Sequence, residues 1–387
     1  MPPFLKLCVI GFLAFLSYTL SRFPVIPLYA ESLKLNPEQI GLVVAASTLT
    51  GVFFKMPAGA LSDIVGRRIM MISGVCFFAF TPFFYFLAKD AQSLFIIRVI
   101  HGFATAIFAP VVSAVISDLA STKNRGQLLA TYSSANMVGR TLGPLIGGWL
   151  LFWGGFKLPF LASGVAGVLA LLLAITWTRE KEAGGWKLEA GRKQFVNGLK
   201  EVFSNKAILL VSLVECVQYL ATGAVECFLP IYSKNIVHLL EWQIGILFGV
   251  QVIVTMISKP FLGILSDRFG RVAQIVFGLV FGGITYSLLP NFNSFYWILF
   301  LIAIYGLAIS VVTSATSAFV TDLAKKENYG SAHGVFGTIM DIGHASGPIL
   351  GGVLVANLNY TLLFNIFGVF LIVFGFLFWF FIKKLAV

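Results

Sequence analysis

Charged residues are scarce in this sequence. Only 11% of its 387 residues are Asp, Glu, Lys or Arg, whereas 58% are hydrophobic. A soluble globular chain carries roughly 25% charged residues. Because so few charges cannot cover the surface of a protein dissolved in water, the composition excludes a soluble globular fold.

The sequence also lacks the patterns that support catalysis or cofactor chemistry. Its four cysteines form neither a C-x-x-C pair nor a metal-ligand spacing. It has no Walker-type phosphate loop and no constellation of nucleophile, base and acid. We therefore expect no enzyme activity, no bound metal and no cofactor, and we interpret the cysteines as packing residues.

Apolar segments of membrane-spanning length recur along the chain. A segment that crosses lipid without closing into a barrel must be a helix, because only a helix satisfies its own backbone groups there. The first segment has no clear small-residue cleavage site, so we interpret it as a retained helix rather than a signal peptide. We predict twelve transmembrane helices, at about residues 5–28, 38–60, 70–88, 92–117, 127–153, 157–178, 207–233, 242–264, 273–290, 294–320, 331–356 and 360–382.

The basic residues are distributed unevenly between the predicted loops. The formal net charge is +11, and most Lys and Arg residues outside the spans fall on one side of the membrane. The other side receives only Lys34, Lys89, Lys157 and Lys234. By the positive-inside rule, we expect both termini to lie in the cytoplasm. We also expect the chain to be a multi-pass protein of the cell membrane. The basicity therefore reflects topology, and we expect no nucleic-acid partner.

The sequence repeats itself with an offset of 204 residues. The matches continue without a gap from the second predicted helix to the fifth, which chance would not maintain. We infer two six-helix halves, 1–178 and 207–387, joined by a polar cytoplasmic linker at 179–206. The repeated residues include Gln39-Ile40-Gly41 with Gln243-Ile244-Gly245, Leu61-Ser62-Asp63 with Leu265-Ser266-Asp267, and Gly143-Pro144 with Gly347-Pro348.

The turn after the second predicted helix carries a motif that the second half repeats. Its glycines permit a tight turn, its carboxylate suits a helix N-terminus, and its arginine can reach an acidic partner. Both copies resemble the G-x-L-x-D-x-x-G-R-[RK] signature of the major facilitator superfamily. The first copy consists of Gly59, Asp63, Gly66 and Arg67, and the second of Gly263, Asp267, Gly270 and Arg271.

This resemblance implies an all-α membrane protein with twelve helices in two pseudo-symmetric halves and a substrate site between the halves. It also implies a conformational latch in which Asp63 and Arg67 meet Asp118, with a second copy formed by Asp267, Arg271 and Asp322. The alternative is that the arginines only anchor positively charged loops. Duplication of the motif at one offset favours the latch.

Two predicted helices carry a glycine-rich pattern with a central proline. It matches the G-x-x-x-G-P-x-x-G-G pattern of drug/proton antiporters within the superfamily. Glycines four residues apart lie on one helix face and let another helix approach, while proline permits bending. The pattern favours export, although simple helix packing is the alternative. The residues are Gly139, Gly143, Pro144, Gly147 and Gly148 in the fifth helix and Gly343, Gly347 and Pro348 in the eleventh.

Ionisable residues inside the spans are candidates for the substrate and proton pathway. A charge at a helix centre costs about 2.5 to 3.5 kcal/mol on insertion scales, so each one suggests a function. Arg98 also fits an R-x-x-x-G element of the superfamily, which implies a buried arginine near the proton path. The candidates are Arg22, Arg98, Arg140, Glu215, Glu226 and Asp341.

Carboxylates are the better proton carriers among these candidates. Burial disfavours a charged carboxylate, so the group can exchange a proton near neutral pH, whereas arginine stays charged. We predict Glu226 or Asp341 as the carrier, with Glu215 third. A static ion pair is the alternative for Glu226, because Arg22 occupies a nearly equivalent place in the first helix. We expect the histidines within spans to be packing residues.

We interpret the chain as a monomeric secondary transporter that works by alternating access. We expect proton-coupled export of small amphipathic compounds, with the proton gradient as energy source and with lipid, substrate and protons as partners. Arg22 stands where many drug antiporters carry a carboxylate; with Arg140 it supports the alternative of a proton-coupled symporter that imports a small organic anion. Another alternative is a non-transporting membrane receptor on the same fold.

Overall fold

The protein is described here by a computed structural model that covers residues 2–120, 124–177, 202–325 and 328–385. Within these ranges all regular elements are helices. The helices are α1 (Pro3–Arg22), α2 (Val25–Ser32), α3 (Pro37–Val65), α4 (Arg67–Phe84), α5 (Ala91–Leu119), α6 (Arg125–Gly154), α7 (Lys157–Ile175), α8 (Lys206–Asn235), α9 (Glu241–Phe269), α10 (Arg271–Leu288), α11 (Phe295–Leu323), α12 (Tyr329–Asn357) and α13 (Tyr360–Lys384). Because the first predicted span contains two helices, α1 and α2, the label of every later helix is one higher than the number of its span.

The first predicted span is two helices rather than one. Phe23 adopts an extended conformation before Pro24, and α2 begins at Val25. A residue that precedes proline is pushed out of the helical region by the proline ring, which accounts for the break. Together α1 and α2 form one apolar stretch, Pro3–Ser32.

Eleven helical stretches in the described residues are long and apolar enough to cross a membrane. The exception among the predicted spans is α6, which has 30 residues and so sufficient length. Its glycine, serine, threonine, asparagine and arginine residues lower its hydropathy.

Asparagine and aspartate side chains fix where several spans begin. The Asn36 side chain accepts a hydrogen bond from the Gln39 amide at the start of α3, and Gln39 bonds back to Asn36. Asp90 caps the start of α5 in the same way. Hydrogen bonds from the Ser93 amide and hydroxyl hold the pKa of the Asp90 carboxyl below its usual range. These caps satisfy backbone amides that the helix itself leaves without partners.

The first compact unit comprises 2–177 and Leu239–Gly249, without 121–123. In it α1 packs on α6 and α7, α3 packs on α5, and α4 packs on α5 and α7. The rings of Phe15, Phe78 and Phe108 meet in its core at centroid distances of 5.6 to 6.3 Å. The first turns of α9 belong to this unit because Gly245 lies against α6; a Cβ on Gly245 would be 2.7 Å from the Pro144 carbonyl oxygen.

The second compact unit comprises 202–238 and 250–385, without 326–327. Here α8 packs on α12, α11 and α13, and α10 packs on α11 and α13. The pairing of α8 with α12 and α13 corresponds to that of α1 with α6 and α7 in the first unit. The repeat in the sequence is therefore also a repeat of helix packing. The linker predicted at 179–206 lies almost wholly outside the described residues, and the division into halves stays a prediction.

Candidate functional site

Arg67 is the centre of a polar cluster that joins three helices of the first unit. Its guanidinium forms an ion pair with Asp63 and donates to the Ser62 hydroxyl. Its Nε lies 3.3 Å from Asp118 Oδ2. Gly66 has φ +105°, a conformation that side chains disfavour, and makes the turn that brings α3 and α4 together. The cluster thus links the ends of α3 and α5 to the start of α4.

Arg271 forms the equivalent cluster in the second unit. It lies 2.7 Å from Asp267 Oδ1, 3.0 Å from Asp322 Oδ2 and 2.7 Å from Ser266 Oγ. Gly270 makes the turn with φ +88°. The predicted latch residues thus come together in two clusters, one in each unit. Their role in the transport cycle stays a prediction.

The two serines of these clusters were missed by sequence reasoning. Ser62 and Ser266 recur at the common offset and precede the aspartates, which is the signal that could have found them. Gly59 and Gly263, the glycines at the start of the motif, both have room for a Cβ atom. A Cβ on Gly59 would lie 3.6 Å from Pro110 Cβ, and one on Gly263 would meet nothing within 4 Å. Neither residue marks a close helix contact.

The glycine-rich faces of α6 and α12 lie directly against α1 and α8. A Cβ on Gly139 would lie 2.6 Å from the Phe12 carbonyl oxygen, and one on Gly147 would lie 2.5 Å from that of Leu20. A Cβ on Gly143 would overlap the Thr19 side chain. In the second unit the added atoms on Gly343 and Gly347 would overlap the carbonyl oxygens of Cys216 and Leu220. Pro144 lies inside α6 and Pro348 lies inside α12. Gly148 of α6 contacts Gly245 at the start of α9.

Arginines are grouped around Tyr18 in the first unit. The Arg22 guanidinium lies 5.5 Å from the centre of the Tyr18 ring, and Tyr18 and Arg98 both donate to the Ser47 hydroxyl. The Arg22 guanidinium lies 4.7 Å from the centre of the Phe23 ring, and that of Arg140 lies 4.2 Å from the Phe15 ring. The first unit therefore combines positive charge with aromatic surface.

Arg98 is completely buried and is held by backbone carbonyls. Its guanidinium donates to the Val43 and Val44 carbonyl oxygens at 3.4 and 3.2 Å and also to the Ser47 hydroxyl. It donates at 3.4 Å to the Tyr85 hydroxyl, which lies 2.8 Å from His101 Nδ1. Arg98 therefore joins α3 to α5, and its position is set by packing as well as by charge.

The candidate carboxylates lie in the second unit and differ in exposure. Glu226 on α8 is paired with His344 on α12, with 2.9 Å between Oε2 and Nε2, and the two side chains are 21% and 12% exposed. Glu215 is only 2% exposed and accepts a hydrogen bond of 2.8 Å from Thr316. Asp341 is half-buried on α12, three residues before His344.

Glu215 shares the face of α8 that carries Glu226, but it is packed between α8 and α11. One expectation about this region differs from the structure. We interpreted the histidines as packing residues, but His344 is the partner of Glu226. The available signal was that His344 is equivalent to Arg140 at the common offset, on a glycine face that packs on a neighbouring helix.

No group of His, Cys, Asp or Glu side chains within the described ranges could hold a metal ion.

The fold and these clusters define a multi-pass helical membrane protein built from two equivalent units. The family model of the Major Facilitator Superfamily matches residues 7–242 and 211–386. The chain belongs to the major facilitator superfamily, a family of membrane transporters rather than of enzymes.

Relatives and solved structures agree with this assignment. Multidrug resistance protein 1 of Bacillus subtilis is 28% identical over 91% of this chain and 90% of its own length. Quinolone resistance protein NorA of Staphylococcus aureus is 25% identical over 89% of this chain and 87% of its own length. The structure of a bacterial homolog of the human lysosomal transporter Spinster superposes with a TM-score of 0.83 at 18% identity, over 97% of this chain and 96% of that one. At that identity the structure shows the shared fold alone.

Proposed function

We propose that the protein exports small amphipathic compounds in exchange for protons by alternating access between its two units. The energy source is the proton gradient across a cell membrane, and both termini lie in the cytoplasm. The relatives named for multidrug and quinolone resistance support export as the direction. The duplicated Arg67 and Arg271 clusters would then hold one conformation of each unit together.

The observation that carries the proposal is the Glu226–His344 pair between α8 and α12. An ionisable pair inside a membrane-spanning helix pair is expensive, and simple packing does not require it. The pair can hold one proton more or fewer while its hydrogen bond persists, because either group can bind the proton. Partial exposure of both side chains gives protons access to it.

The sign of proton movement tests the proposal. The purified protein would be reconstituted into liposomes that contain a pH-sensitive dye, and ethidium would be added outside at equal pH. Ethidium is a permanent cation and carries no proton itself. Exchange predicts alkalinisation of the lumen, at a rate that rises and saturates with ethidium concentration and is absent in protein-free liposomes. If the pH of the lumen stays constant while ethidium enters, that result would contradict proton coupling.

A second candidate is proton-coupled import of a small organic anion. The observation that favours it is the group of Arg22, Arg98 and Arg140 around Tyr18, since guanidinium groups bind carboxylates and sulfonates. In the same liposomes an aromatic sulfonate would then acidify the lumen. A protein that moves neither compound under any gradient would support a receptor role on this fold.

A further inference from the structure

Four polar side chains form a stripe along one face of α8. Glu215, Gln218, Thr222 and Glu226 are spaced by three or four residues, so they lie above one another on the helix. Glu215, Gln218 and Thr222 bond to residues of α11, whereas Glu226 bonds to a residue of α12. Glu226 at one end of the stripe contacts His344, and Glu215 at the other end contacts Thr316.

Hydrogen bonds to Tyr305 of α11 connect the middle of the stripe. The Gln218 side-chain amide donates to the Tyr305 hydroxyl at 3.4 Å, and the Thr222 hydroxyl lies 3.1 Å from the same oxygen. Glu226 lies one helical turn beyond Thr222 on the same face of α8. One tyrosine oxygen therefore lies between the two carboxylates of α8.

This polar connection is almost completely buried. Gln218 and Tyr305 are 0% exposed, and Thr222 is 4% exposed. Small apolar residues can hold membrane helices together without hydrogen bonds between them. Packing alone therefore does not account for a row of polar groups at this place.

Two buried oxygens, one on α8 and one on α11, have no hydrogen-bond partner within the described residues. They are Gln218 Oε1 and the Thr313 hydroxyl on α11, which is 4% exposed as a residue. Buried polar atoms almost always have a partner, and where the protein supplies none the partner is usually an ordered water molecule. Because Gln218 lies between Glu215 and Thr222 on α8, a water molecule bonded to its Oε1 would lie on the stripe.

We propose that Thr222, Tyr305 and a water molecule at Gln218 Oε1 conduct protons between the Glu226–His344 pair and Glu215. This inference rests on the proposed proton-coupled function. Hydroxyl groups and water can accept one proton while they donate another. The Glu226–His344 pair loses one proton to this path of hydroxyl groups and water. Each hydroxyl and the water end with as many protons as before, and the Glu215 carboxylate gains one.

Other ionisable groups surround the ends of this path. Glu226 meets His344 from α12, which also carries Asp341 one turn away. The positive charge of Lys259 from α9 acts on Glu215. Tyr286 from α10 contacts the Tyr305 ring, and α13 presents apolar rings to Tyr286.

Tyr305→Phe tests the path because it removes the hydroxyl and keeps the ring. The matched control is Tyr286→Phe, since Tyr286 is equally buried in the same unit but donates to the Ala221 carbonyl, away from the stripe. In dye-loaded liposomes we expect ethidium-driven proton movement to slow about tenfold or more in Tyr305→Phe, as for loss of a positioned proton donor. Ethidium exchange without a gradient should stay within about twofold of wild type in both variants.

Further results separate failure of the path from failure of the proposed function. If wild type moves ethidium without protons, the proposed function itself is wrong. If wild type couples protons but Tyr305→Phe and Tyr286→Phe behave alike, the path is wrong. Should Tyr305→Phe fail to fold, Thr222→Val removes another hydroxyl at nearly constant volume and must show the same selective loss. Normal coupling in Thr222→Val would then overturn the path.

Discussion

At the scale of single residues, the pathway candidates inside the spans differ in sign between the two units. Arg22, Arg98 and Arg140 belong to the first unit, and the three acidic candidates belong to the second. Arginine stays protonated under all physiological conditions. Among these residues, only the acidic ones and the histidine beside Glu226 can release a proton in each cycle. The proposed proton coupling by these residues therefore belongs to the second unit.

Glu226→Gln should separate transport from proton coupling. The amide keeps the shape of the side chain and a hydrogen bond to His344, but it cannot carry the proton. We expect loss of gradient-driven ethidium transport, whereas exchange of ethidium without a gradient persists. Both are measured by ethidium fluorescence in liposomes that contain DNA.

The control for this prediction is Glu38→Gln, which changes an exposed carboxylate at the start of α3. It should transport as wild type does. Gradient-driven transport by Glu226→Gln at the wild-type rate would exclude Glu226 as carrier and leave Asp341 as the next candidate.

Asp63→Asn should slow transport with little effect on folding. The Arg67–Asp63 pair is partly exposed, at 28% and 26%, and such pairs contribute only about 0 to 1 kcal/mol to folding stability. If the pair latches one conformation, its loss changes the rate of the cycle instead. Transport rate and melting temperature are measured on the same preparation.

Asp267→Asn is the matched variant in the second unit, where the aspartate is 64% exposed. We expect a smaller effect there, because water screens a more exposed pair more strongly. A wild-type rate in Asp63→Asn would contradict the latch role.

The sequence predicted the charged residues of the two arginine clusters, but it predicted neither their serines nor every contact within the spans. The clusters follow from a duplicated motif whose short spacing leaves the arginine near its aspartate. The pairing of Glu226 with His344 depends on the rotation of two helices separated by more than a hundred residues. Nothing in the spacing of one span specifies that rotation, so the histidine was interpreted as a packing residue.

At the scale of helices, glycine decides where the units pack tightly. The face of α6 that carries Gly139, Gly143 and Gly147 has no room for a side chain against α1. The sequence predicted this close approach from the four-residue spacing. It did not predict the break of the first span, because hydropathy continues through Pro24 although the backbone does not.

Gly143→Leu should destabilise the protein through overpacking. Even a Cβ at this position overlaps the Thr19 side chain, and overpacking typically costs about 1 to 3 kcal/mol. We expect a lower melting temperature in detergent and a loss of transport. Gly126→Leu on the same helix is the control, since a Cβ there meets nothing within 4 Å. Equal melting temperatures for the two variants would contradict the packing of α6 on α1.

Gly66→Ala should destabilise the turn between α3 and α4. Gly66 has φ +105°, and a non-glycine residue in such a conformation costs on the order of 1 to 3 kcal/mol. Gly263→Ala is the comparison, because Gly263 lies inside helix α9 with open space around it. It should be neutral or slightly stabilising, as alanine favours helix. Thermal melting of both variants is the measurement, and a Gly66→Ala protein as stable as Gly263→Ala would show that the turn tolerates a side chain.

At the scale of the whole molecule, the internal repeat carried most of the fold prediction. A constant offset of 204 residues implies equivalent helices, and the two units show equivalent helix pairs. Hydropathy alone identifies eleven spans in the described residues and misses α6, whose polar residues lower its hydropathy. The repeat recovers α6, because it matches α12.

Uphill transport in response to an imposed gradient tests the central claim of proton-coupled export most directly. Liposomes with an acidic lumen would be placed in neutral buffer with ethidium, while potassium and valinomycin hold the membrane potential at zero. We predict that wild type concentrates free ethidium in the lumen above its external level, and that collapse of the pH gradient by nigericin releases it. Equilibration of ethidium to the same level with and without the pH gradient would contradict proton-coupled export.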